Sequence, residues 1–300
     1  LRDLPASLYS ESGVLVPEIV VRAYDALLSS GEERDVAADS FAVLLGEIPV
    51  HRGTVPRPIQ GAREEETTEP RSSRIPERDA PAYLASRLRE VLRRYLQEFV
   101  GLQEVRTLLD RLSMTHPALV AEVVPKQVEL SQLAEVLQRL VRERVSIRDS
   151  RSVLEAVAET ARAENDPFEL TELVRARLAR QICSRFARED GKLLVHTVDA
   201  EIQQAIRESI RRGPAGPYLG LPPDLREEIL DATRRALRGT TQPAPPVLLV
   251  EPEVRPHLRK LLEEELPEVA ILSMRELTPE LVLQPIGHVT VIGDPIPLGR

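Results

Sequence analysis

Apolar residues recur at three- and four-residue steps through the middle of the chain, with Leu84, Leu88, Val91, Leu92 and Tyr95 in one stripe and Leu133, Val136, Leu137, Leu140 and Val141 in another. This spacing places each set on one face of a helix. It predicts a succession of amphipathic helices over 82–190 that bury their stripes against one another in a bundle with short connections. Local chemistry marks the helix entries. Asp166-Pro167-Phe168-Glu169 supplies a cap acceptor, a first-turn proline and an acidic third residue, His116-Pro117 has a similar form, and Ser146-Ile147-Arg148-Asp149 resembles a capping box.

The flanks read differently. Val14 to Val21 and Phe41 to Val50 are rich in β-branched and aliphatic residues, which predicts strands, and Gly46-Glu47 breaks the second run as a hairpin turn would. Ser29 to Asp39 is polar and reads as a loop. From Thr54 to Pro81 the composition turns to Pro, Arg and Glu with almost no apolar period, which predicts a linker. Lys192 to Val198 is a strand candidate, followed by a helix over Asp199–Arg211, a turn at Gly213–Pro217, a helix after Pro223 and a proline-rich connector over Thr240–Pro246. The end of the chain offers a strand at Val247–Val250, a helix over Val254–Leu266 and a strand at Val269–Leu272, an order that predicts parallel pairing with a right-handed crossover. His288–Ile292 is a further strand candidate.

Composition narrows the function classes. The chain carries only nine aromatic residues, five Tyr and four Phe, so its cores rest on Leu, Val, Ala and Ile. A formal net charge of -8 with no basic tract disfavours phosphate backbones and excludes nucleic acid as an expected partner. Cys183 is the one cysteine, so no intrachain disulfide and no Cys-rich metal site can form. Its place in the helical pattern Leu178–Phe186 favours packing over nucleophilic catalysis. His51, His116, His196, His257 and His288 show no i, i+4 pair, and no phosphate-cradling glycine motif is present. The acidic runs Glu227-Glu228 and Glu263–Glu265 lie in Arg-rich helical patterns that explain them as surface ion pairs. The expectation is a non-enzymatic binding module with no cofactor and no metal. No apolar stretch approaches the roughly 18 residues that span a bilayer. The chain opens on Leu1 and is expected to be a soluble, cytoplasmic fragment of a longer protein.

Several collinear segments carry a family resemblance. They are Gln103-Glu104-Val105, Leu108–Leu112, His116–Leu119, Glu122–Pro125, Val136–Leu140, Val145–Asp149, Asp166-Pro167 through Leu170-Thr171-Glu172, Tyr218-Leu219, Pro246–Val250, Leu272-Ser273, Glu276–Glu280 and Gln284-Pro285-Ile286-Gly287. In this order they resemble the cytosolic domain of the FlhA/LcrD/SctV export gate family of bacterial type III secretion.

The resemblance implies an α+β, helix-rich fold in several subdomains. A mixed α/β first subdomain would occupy 1–53 and 82–100, a helical third 101–190, a strand-helix-helix connector 191–245 and a small α/β fourth 246–300. The Pro/Arg/Glu-rich stretch 54–81 would stand where the family inserts its second subdomain, which therefore looks reduced. The family docks secretion chaperones in the groove between its first and second subdomains, and Asp79, Ala85, Ser86 and Leu88 resemble the end of the inserted segment beside that groove.

The resemblance further implies a nonameric homo-oligomer at the cytoplasmic face of the bacterial inner membrane, held there by a preceding transmembrane region. Chaperone–substrate complexes, a gatekeeper, a stalk protein and the ATPase complex would be its partners. With 54–81 reduced, docking is expected first on the helical bundle and the C-terminal β-α-β unit. The alternative is a stand-alone helical regulatory or scaffold protein that kept this fold. The Gln284–Gly287 ending resembles the injectisome and general pattern more than the flagellar tails.

Overall fold

The computed structural model describes residues 3–22, 40–55, 80–213, 216–238 and 245–291. Most of the expected linker, the polar run Ser29–Asp39 and most of the Thr240–Pro246 connector lie outside them. The described elements form an α+β structure. Packing divides the chain into two compact units, Leu1–Asp110 with Leu137–Asp149, and Arg111–Val136 with Ser150–Arg300. The boundary runs through the helices α3 (Leu102–Ser113) and α5 (Leu130–Arg142).

In the first unit, helix α1 (Leu4–Ser12) has Pro5 in its first turn and ends on Gly13, whose N–H reaches the Tyr9 carbonyl at 2.8 Å. Proline at the start and glycine at the end of a helix follow the backbone preferences of its two termini. Gly13 adopts φ +78, and a Cβ there would stand 2.3 Å from the Arg148 nitrogen, so only glycine fits. The strand expected at Val14–Val21 is not formed. Pro17 removes a backbone donor in mid-run, and the segment instead turns Val14, Val16 and Ile19 inward while Leu15, Val20 and Val21 stay exposed. The expected hairpin is present: β1 (Ser40–Leu45) pairs antiparallel with β2 (Ile48–Thr54), with positive φ at Gly46 and Glu47. Helix α2 (Ala80–Arg94) lays Leu88 and Leu92 on Leu4 and Leu8 of α1, with Leu45 and Phe99 closing the cluster.

The second unit contains α4 (Pro117–Val123), α6 (Ser150–Thr160), α7 (Pro167–Arg177) and α8 (Ala179–Ser184), with α6 packed on both α4 and α7. Asp166 caps α7 as the sequence predicts, accepting from the Phe168 N–H at 2.9 Å. Ser146 is not the cap of α6. Its hydroxyl accepts from Arg148 N at 3.3 Å in a turn, and the helix begins at Ser150.

A four-stranded, all-parallel sheet follows, in the order β7 (Ala270–Ser273), β6 (Val247–Val250), β3 (Lys192–Val198), β8 (Val282–Val289). The parallel pairing of β6 and β7 agrees with the sequence reading. The strand candidate Lys192–Val198, within the strand-helix-helix segment 191–245, is β3, an inner strand of this sheet. β8 begins six residues before His288, where the run was expected, and the alternation that would reveal it is broken by Pro285, which an edge strand tolerates. The helix α9 (Ala200–Glu208) stops short of the expected Arg211, because Ile210–Gly213 becomes β4, paired antiparallel with β5 (Gly216–Leu219).

Parallel strands need helical cover. Ile202 and Ile206 of α9, Ile229 and Leu230 of α10 (Pro223–Leu237), and Leu258 and Leu262 of α11 (Arg255–Leu262) provide it, packed with Leu248, Val250 and Ile271. No helix among the described residues is long and apolar enough to cross a membrane.

Candidate partner-binding surface

Helix α2 carries three of the four residues singled out from sequence, while Asp79 lies outside the described residues. Helical geometry separates the three. Leu88 sits on the stripe that packs against Leu4, Leu8 and Leu92, Ala85 is half-buried and Ser86 faces solvent. Ser86 is therefore the one of the three with a side chain fully on the surface. Charged contacts fix the helix in place: Arg89 donates to Ser7 Oγ at 2.8 Å and Arg93 pairs with Glu11 at 2.5 Å, both tying α2 to α1. Beside Ser86, Arg87 pairs with Glu90 at 2.8 Å and lies 5.3 Å from the Tyr83 ring centre. These contacts hold its guanidinium above its usual pKa, through Tyr83 first and Glu90 second. The exposed face of α2 is thus polar, with Arg87 and Arg93 each already paired with a carboxylate of the chain. The hairpin of the same unit adds apolar surface at Leu44 and Ile48.

The second unit also buries ion pairs. Arg175 on α7 pairs at 2.5 Å with Glu276, both essentially inaccessible. Glu276 also completes a capping box with Ser273, its carboxylate accepting from the Ser273 N–H at 2.6 Å. The spacing Ser273-Met274-Arg275-Glu276 is the signature of such a box, a signal that reading Glu276–Glu280 only as a family motif passed over.

Arg255, at the start of α11, is wholly buried and forks onto both carboxylate oxygens of Glu172 on α7. A bidentate fork of this kind is the geometry for which Arg is selected over Lys. Cys183 donates its thiol to the Glu276 carbonyl at 2.8 Å, and burial raises its pKa, so it is a packing residue kept in the thiol form. His196 is buried on β3 opposite Gly287, where a Cβ would come within 2.4 Å of the imidazole. The glycine of Gln284–Gly287 makes room for this ring. Helix α11 ends at Leu262, short of the expected Leu266, so Glu264 and Glu265 lie in the turn after it, where Glu265 pairs with Arg234 at 2.7 Å and Glu264 stands within 4.0 Å of Arg226. Among the described residues no three His, Cys, Asp or Glu side chains converge as metal ligands.

The α2 surface and the charged interior of the second unit therefore differ in kind. The first presents a polar face to solvent, and the second binds α7 to the C-terminal sheet. Similar proteins share this architecture. The FHIPEP family model matches residues 48–282. Low calcium response locus protein D of Yersinia pestis is 32% identical over 203 residues, 67% of this chain and 29% of that protein. Flagellar biosynthesis protein FlhA of Bacillus subtilis is 32% identical over 218 residues, 71% of this chain and 32% of that protein. The chain thus spans less than a third of the length of these relatives.

Among solved structures, the Chlamydia pneumoniae CdsV protein in complex with CdsO superposes with a TM-score of 0.80 at 31% identity, covering 96% of this chain and 89% of that one. The nonameric SctV-C of EPEC, determined by cryo-EM, gives a TM-score of 0.76 at 25% identity, covering 96% and 92%. The family match extends over most of the described elements, from the second strand of the hairpin to the start of β8, and the chain belongs to the FHIPEP family.

Proposed function

We propose that this chain is the cytosolic, ring-forming receptor region of a type III protein secretion export gate, docking chaperones, substrates and other parts of the export apparatus without covalent chemistry. The observation that carries the reading is the similarity to nonameric SctV-C over 96% of the chain, alongside the FHIPEP match. The CdsV–CdsO complex supports an interaction with a component of the same kind as CdsO. In this reading nine copies assemble beneath the inner membrane, tethered by a preceding transmembrane region. Chaperone–substrate complexes, a gatekeeper, a stalk protein and the ATPase complex engage the exposed surfaces.

The interior supports such a role. A receptor that binds and releases large partners needs subdomains that keep their shape, and the buried Arg175–Glu276 pair and the Arg255–Glu172 fork fasten α7 to the C-terminal elements within the second unit. Ser86, with Asp79, Ala85 and Leu88 along the same segment, marks the docking region on the first unit. The test is a binding assay between the purified chain and the export proteins encoded beside it, by biolayer interferometry. Binding of at least one cognate chaperone complex or stalk protein supports the reading, and binding of none rejects it in favour of a scaffold that kept the fold.

A further inference from the structure

We draw no further inference here: the strongest candidate, the exposed apolar surface of the first unit carried by Leu15, Val20 and Val21 after α1 and by Leu44 and Ile48 of the hairpin, carries nothing because nothing in the structure shows what covers it.

Discussion

Removing the Glu276 carboxylate takes away the buried anion that pairs with the equally buried Arg175 guanidinium. Breaking one side of a buried ion pair costs about 3–5 kcal/mol. Glu276→Gln is therefore expected to lower the unfolding free energy by that order, read as a lower urea midpoint at unchanged slope, and the double variant Arg175→Met, Glu276→Leu to recover much of the loss. If the single variant matches wild type, the pair does not hold α7 to the sheet. Gly287→Ala acts through shape: its Cβ would meet the His196 ring at 2.4 Å between paired strands. A cost of about 1–3 kcal/mol follows from overpacking, measurable by the same unfolding curve.

The two buried histidines set the pH dependence. Burial lowers the pKa of both, and Lys260 and Arg255 lower that of His257 further. Their folded-state values lie below the unfolded value near 6.5, so above about pH 6.5 both states hold them neutral and stability is full. As pH falls below that value the unfolded chain takes up protons first and stability declines through the folded values. Melting temperatures read from pH 8 down to pH 5 should show this decline, and it should shrink in His257→Gln. A flat profile contradicts it.

At the scale of elements, α2 shows how a helix divides its labour. Leu88 belongs to the packed stripe and Ser86 to the open face. Leu88→Ala should lower stability, in the direction of large-to-small core changes, while Ser86→Glu should leave it within about 0.5 kcal/mol, as surface changes do. If the α2 face docks partners, Ser86→Glu weakens their binding in the biolayer assay, and unchanged binding moves the docking region elsewhere.

Elements with strong periodicity were legible in the sequence. The Leu133–Val141 stripe is buried throughout, the hairpin turns at Gly46-Glu47, and Asp166 caps α7. What the sequence concealed has physical reasons. Helix α1 shows only Leu4 and Leu8 as a stripe, and its Pro5 and Gly13 punctuation was the available signal. Pro285 hid β8 because an edge strand needs only one set of backbone partners. Pairing between β3 and strands more than 50 residues away depends on tertiary packing, which no local pattern reports. The buried ion pairs of Arg175 and Arg255 were hidden for the same reason, since a surface and a buried arginine look alike in sequence.

For the whole molecule, fold and candidate surface stand at different depths of legibility. The family follows from many weak segments in collinear order, and the FHIPEP match and the solved structures agree with it. The docking residues do not follow from order alone, because docking depends on which side of α2 each side chain takes, and the structure turns Leu88 inward. The net charge of -8 adds a constraint on assembly, since like-charged copies repel and a ring of them should tighten as salt screens that repulsion. The central claim is that copies of this chain form a closed ring. Single-particle electron microscopy of the purified chain, at the highest concentration at which it stays soluble and at raised salt, tests it most directly. Nine-fold rings are the expected result, and a field of monomers or open, unclosed oligomers would contradict it.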